Sequence, residues 1–322
     1  MKKTVIFVLL FSLLLVMCGC GAQTEAEAPL PAEKAEPAAE ETAAPEPADP
    51  TPEPTAEPTP SPEPEPEKDE IIFTEQGIID NNLCSVVITG IDAESMFGYT
   101  LNAVLENKTA DTVLSFTTED SSVNGIKADA NLIEDLEPGT KGDYEIVFRN
   151  KEQTEHITDF TDIKMTFKVS EKDNYVDSLA SETVHIYPLG EDKAVIQERQ
   201  PEKDDITLLD NDKLTVVLTG YRSDDVFGMI ADFFITNKMD STIAVLSEDE
   251  TVNGTEARPY FAAAVPGGCC SYEKMVWMRD LLEEKEIEKV ETVEFRLQAC
   301  NNKNLFDSYA DEPVELHPDF TP

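Results

Sequence analysis

Three features of the 322-residue chain predict an all-β protein: two tandem sandwiches behind an unfolded leader. The phrase VVITGIDAESMFGY (residues 86–99) recurs as VVLTGYRSDDVFGM (residues 216–229). Short runs of alternating apolar and polar residues, the period of a strand with one buried face, lie between turn residues in both copies. A Pro- and Glu-rich stretch without a single aromatic residue precedes them.

The repeat extends well past its opening phrase. Setting Gly90 on Gly220 gives an offset of 130, which also carries Phe97 to Phe227, Asn107 to Asn237, Val184 to Val314 and Pro188 to Pro318. A shared VNG and a shared PG drift by one or two residues and the register then recovers, as expected when small gaps fall in turns. The divisions that follow are a leader at 1–19, a stalk at 20–70, a first sandwich at 71–190, a linker at 191–203 and a second sandwich at 204–322.

Each element has its own warrant. Cys84, Val86 and Ile88, and likewise Leu214, Val216 and Leu218, alternate along a strand that Gly90 and Gly220 are expected to end. FGYTLNAVLEN and FGMIADFFITN are apolar on both faces in places, as a central strand would be. NKTAD and NKMDS supply turns. Strands follow at VLSFT and IAVLS, KADANLI and EARPYFA, DYEIVF and YEKMVW, and at IKMTFKV with TVHIYP or VEFRLQA with PVELHP. A short charged helix is expected at 279–288, with a weaker counterpart at 153–160. About seven strands per copy at this spacing predict two immunoglobulin-like β-sandwiches, without the Cys-Trp-Cys signature of antibody domains.

The order V-V-x-T-G, F-G, N-K, V-N-G, P-G resembles a repeated immunoglobulin-like domain of unknown function found on secreted proteins and lipoproteins of clostridia and related Gram-positive bacteria. The resemblance spans about residues 71–322. It implies a fold and a surface location, and it carries over no catalytic residue.

The first residues read as an export leader. Lys2 and Lys3 precede an apolar run from Val5 to Met17, broken only by Ser12, too short for a comfortable membrane span. Gly19 before Cys20 is similar to the motif cut by the lipoprotein signal peptidase, and Met17 makes Cys18 a poorer acceptor. A mature chain beginning at a lipidated Cys20 would be held permanently by its acyl chains, at about 0.8 kcal/mol per buried methylene. Simple secretion after cleavage near Ala22 is the alternative.

Residues 23–70 hold 13 prolines and 15 acidic against 2 basic residues. Such a segment buries too little apolar area to offset the entropy of ordering it. As extended polyproline II it would reach on the order of 150 Å, a spacer that stands the folded part off the membrane. The whole chain carries a formal charge of −41, which repels phosphate backbones and argues against nucleic acid as a partner.

Candidate chemistry is sparse. No G-x-S-x-G, H-E-x-x-H or phosphate-cradling loop is present, and no cofactor is expected. His156, His185 and His317 do not align between copies and read as surface or strand-edge residues. Cys84 reads as a small core residue. Cys300 has Cys269 and Cys270 as candidate partners, and Cys270 with Cys300 is the disulfide expected if one forms. The first copy has no cysteines at those places, so the fold needs none, and free thiols are the alternative. Asp80, Asn81 and Asn82 match Asp210, Asn211 and Asp212; turn residues ahead of a strand explain them better than calcium ligands. Phe97 and Phe227 are expected as core anchors beside a close backbone approach at the next glycine, with an exposed aromatic clamp the alternative. Trp277 reads as core.

These readings converge on a cell-surface lipoprotein that binds a protein or glycan ligand without catalysis. An accessory subunit of an envelope assembly is the runner-up, and an extracellular hydrolase stands third. Metabolic labelling with a palmitate analogue tests the anchor: label on the wild type is expected to vanish in Cys20→Ala, and undiminished label would remove Cys20 from the account.

Overall fold

The computed structural model describes residues 70–174, 176–223 and 227–321. The leader, Cys20 and the stalk up to residue 69 lie outside the described residues. The described residues are mostly strand. Its N-terminal half contains β1 (Gln76–Asp80), β2 (Cys84–Asp92), β3 (Tyr99–Asn107), β4 (Leu114–Val123), β5 (Ile126–Lys127), β6 (Ala130–Asn131), β7 (Ile133–Leu136), β8 (Lys141–Phe148), the one-turn α1 (Lys151–Thr154), β9 (Ile163–Glu171) and β10 (Ser178–Ile186). The C-terminal half contains β11 (Ile206–Asp210), β12 (Leu214–Arg222), β13 (Met229–Asn237), β14 (Ile243–Val252), β15 (Thr255–Glu256), β16 (Ala262–Val265), β17 (Cys270–Trp277), α2 (Arg279–Glu284), β18 (Val293–Asn301) and β19 (Asn304–Leu316).

The two halves pair their strands alike. In the first, β1-β2-β3-β8-β6 form one sheet, and β10-β9-β4 with β5 and β7 form the other. In the second, β11-β12-β13-β17 face β19-β18-β14 with β15 and β16. Three consecutive strands thus meander in one sheet before the chain crosses to its partner. Alternation places Leu101, Ala103 and Leu105 of β3, and Ala231, Phe233 and Ile235 of β13, in two separate cores. Trp277 and Cys84 are fully buried, as expected.

Gly90 and Gly220 do not end their strands. β2 and β12 each absorb a bulge just before the glycine, between Ile88 and Gly90 and between Leu218 and Gly220, and run on to Asp92 and Arg222. β1 and β11, which the alternation pattern does not reveal, pair with β2 and β12 through matching bulges.

The repeated polar residues close turns. Asn107 is fully buried at the end of β3; its amide donates to the carbonyls of Thr112 (2.9 Å) and Leu136 (2.8 Å), and its carbonyl accepts from the Thr109 N–H (2.9 Å). Asn237 repeats this, donating to Ser241, Val265 and Pro266 at 2.9–3.0 Å and accepting from the Met239 N–H. Each side chain therefore ties one sheet to the end of the facing one. The VNG turns are also explained: Asn124 and Asn253 sit at φ +53° and +49°, where asparagine is tolerated, and each side-chain oxygen accepts two backbone N–H groups from the loop before β9 or β18.

The halves meet along one corner. The Cys270 N–H donates to the Gly125 carbonyl (2.8 Å), a parallel bridge that joins β5 to β17. Lys127 reaches Glu273 at 2.9 Å, with both side chains largely buried, and Thr242 donates to Asp120 at 2.5 Å. Residues 191–203 are not a loose connection. Glu191–Lys193 form one 3₁₀ turn, and the Gln197 N–H donates to the Asn124 carbonyl (2.8 Å). Arg199 grips Asp205 with two bonds of 2.7 and 2.8 Å and lies over the Phe234 ring.

Removing the Asn237 amide takes a donor from the Ser241, Val265 and Pro266 carbonyls, of which Pro266 keeps the Cys269 N–H, and a carbonyl left unpaired costs about 1–3 kcal/mol. Asn237→Ala is expected to lower stability by roughly 3 kcal/mol in denaturant unfolding of the full chain; an unchanged midpoint would contradict the cross-sheet tie.

Candidate functional site

One glycine shapes the end of the repeated phrase. Gly98 has φ +119°, and a Cβ built on it would stand 2.4 Å from the Phe148 carbonyl oxygen. Gly228 holds the matching place at φ +42°, with the Trp277 carbonyl 2.9 Å from such a Cβ. The expected close approach is present, and glycine alone permits it. The expected burial of the preceding ring is not. Phe97 is 60% exposed, Phe227 41% and Met96 89%.

The cause of this correction is local. With Gly98 pressed against the end of β8, Phe97 is left in the turn, which its own polar groups hold closed. Asp92 Oδ1 accepts from the Glu94 N–H (3.0 Å), Ser95 Oγ from the Phe97 N–H (3.3 Å), and the Ser95 carbonyl from the Gly98 N–H (3.1 Å).

This turn forms the lip of a groove of about 820 Å³. Its floor is aromatic: Tyr99 stacks on Phe160 with centroids 4.0 Å apart and planes 10° from parallel, and Phe148 meets Phe160 edge-on at 5.5 Å. Tyr99 and Phe160 are half-buried, and desolvation pushes the Tyr99 hydroxyl pKa up, so the phenol stays neutral and can donate a hydrogen bond. The other half does not repeat the floor. Met229 and Val290 stand where Tyr99 and Phe160 do; both are fully buried, as is Trp277 in place of Phe148. Phe320 pairs its backbone with that of Val290 and covers that end. One scaffold thus carries an open aromatic floor in its first copy and, among the described residues, buried apolar side chains at the matching positions of its second.

The other sequence candidates fall elsewhere. Cys270 begins β17 and Cys300 lies in β18, strands of facing sheets; both are free thiols, as are Cys84 and Cys269. Burial pushes all four thiols up in pKa, which makes them poor nucleophiles. Asn81 Oδ1 accepts the N–H groups of Leu83 and Cys84, and Asn211 those of Lys213 and Leu214, so both triplets build turns. Lys108 and Lys238 take the carboxylates of Asp80 (2.6 Å) and Asp210 (2.7 Å) and hold them below the usual carboxylate pKa range. Among the described residues, no group of three or more His, Cys, Asp or Glu side chains is placed to hold a metal ion.

His185 pairs with Asp162 at 2.7 Å and His317 lies 3.4 Å from Glu315. His156, expected as an unremarkable surface residue, stacks on Tyr272 of the other half with centroids 3.8 Å apart. It lines a polar cleft of about 670 Å³ between the halves. Arg199 and Arg222 also line that cleft, but each already forks onto an aspartate, Asp205 or Asp232, which makes the cleft part of the junction.

Comparison with protein-family models and with curated proteins returns no match to this chain. The site therefore rests on its own geometry.

The Gly98 contact is open to test. Gly98→Ala would place a methyl against a backbone carbonyl at a φ that side chains rarely adopt, at a cost of roughly 2 kcal/mol or more. A lowered unfolding midpoint, with a changed near-ultraviolet signal from Tyr99, is expected; wild-type values for both would refute the close approach.

Proposed function

We propose that this protein is a lipoprotein anchored at Cys20 on the outer face of the cell membrane, where it binds a ligand and catalyses nothing. The two sandwiches are immunoglobulin-like in architecture, displayed on the Pro- and Glu-rich stalk. The observation that carries the reading is the exposed pair Met96 and Phe97 beside a floor of stacked aromatic rings. Large apolar side chains held in water by an ordered turn mark interaction sites, and a groove of this size suits a short segment or small molecule. Among the described residues, desolvation holds the four thiols high in pKa and the histidines lie apart from one another, which favours binding over thiol-based hydrolysis.

The accessory-subunit reading draws on a different surface. Phe306 is almost fully exposed beside Leu305 near the tip of the β18–β19 hairpin, and that tip would be its docking point.

Arrays of short peptides and of glycans, probed with the full chain, separate these readings. Ligands retained by the wild type and by Phe306→Ala but lost by Phe97→Ala, with thermal stability unchanged, are the expected result. Binding that survives Phe97→Ala at full strength would discard the groove, and loss in Phe306→Ala alone would move the function to the hairpin tip.

A further inference from the structure

We infer that the ligand of the aromatic groove is a short cationic peptide segment that brings an apolar side chain to the floor; this rests on the binding reading above. Three observations converge on that chemistry. The first is the floor. The stacked Tyr99 and Phe160 remain half-buried beside the groove, next to the exposed Phe97 and Met96. Aromatic faces attract both apolar groups and cations, because the ring quadrupole is negative over its face. The second is the rim. Among the described residues, Glu70, Asp92, Glu94 and Asp159 line the groove together with Arg149, and all five are exposed. An exposed carboxylate adds little affinity by itself, but four around one mouth select a partner of opposite sign and speed its arrival. The third is the field of the chain: with a formal charge of −41 it disfavours any anionic ligand at the same lip.

Size narrows the class further. A groove of about 820 Å³ accepts a few residues in extended form and not a folded domain. A glycan would use the same ring faces, but it would draw no benefit from four like charges. The asymmetry between copies agrees with a single aromatic site: among the described residues, the C-terminal half has the buried Met229 and Val290 in place of the two stacked rings, so the aromatic floor is not repeated there.

The test uses the full chain in detergent and three fluorescein-labelled hexapeptides with Leu-Phe at the centre, flanked by lysines, by serines or by glutamates. Anisotropy is read at about 20 and about 200 mM salt, a range over which exposed charge interactions are largely screened. The lysine peptide is expected to bind at least tenfold more tightly than the serine peptide at low salt, with the gap closing at high salt, and the glutamate peptide is expected not to bind. Phe97→Ala should abolish binding of both the lysine and the serine peptide. The double variant Asp92→Asn and Asp159→Asn should remove only the lysine preference, since asparagine keeps the acceptor that Asp92 offers to Glu94. Equal, Phe97-dependent binding of lysine and serine peptides would overturn the cationic assignment while leaving the groove as a binding site. So would Phe97-dependent binding of a chito-oligosaccharide with no peptide bound. Lysine-peptide binding untouched by Phe97→Ala would mark diffuse attraction to an acidic surface and overturn both.

Discussion

A buried amide in each half holds the architecture together. Two sheets packed face to face need their strand ends joined by turns, and those turns leave carbonyls pointing inward where water cannot reach them. Asn107 and Asn237 satisfy them from the end of the third strand of each half, across the gap between sheets, while their own oxygens fix the following turn. An unpaired buried carbonyl costs more than a made hydrogen bond contributes net, so such a residue is difficult to replace. With that end of each sandwich fixed, the opposite end is free to differ, and the differences between the copies gather there.

At that opposite end the copies diverge by substitution on a common frame. Gly98 and Gly228 make the same approach to the neighbouring strand, and both leave a phenylalanine in the turn. The outcome depends on what lies beneath. Trp277, Val290 and Phe320 fill the C-terminal half, whereas the stacked Tyr99 and Phe160 leave a groove in the N-terminal half. The junction shows the same economy. Lys127 and Lys164 face the C-terminal half, where they meet Glu273 and the Gly267 carbonyl; the second copy carries Glu256 and Glu294 at those positions. The corner that docks in the first copy is therefore basic, and the matching corner of the second copy is acidic.

Much of the fold was legible because alternation and turn chemistry are local. The repeat register located the strands that form both cores, and the Asn-Lys phrases located turns whose side chains do close the backbone. The short edge strands Gln76–Asp80 and Ile206–Asp210 were not legible, since an edge strand interrupted by a bulge has no clean period. The glycines at 90 and 220 misled for a related reason: a glycine within a strand marks a bulge as readily as an end. At the site, the sequence placed the close approach at Gly98 but buried the wrong neighbour, because Phe-Gly does not say which of the two meets the core. The signal for the groove was present in the register. Positions 99 and 160 hold aromatics where 229 and 290 hold Met and Val, so the register already marked where the two ends differ. The junction was out of reach, since contacts between His156 and Tyr272 or Lys127 and Glu273 follow from three-dimensional docking that no local pattern encodes.

Hydrogen–deuterium exchange of the full chain, with and without saturating lysine-flanked peptide, tests most directly whether one open end of a duplicated scaffold is the binding site. The account predicts slowed exchange confined to residues 92–99 and 158–160, with the matching segments 227–229 and 288–290 unaffected. Equal protection of both ends, or protection only at the β18–β19 hairpin, would contradict it.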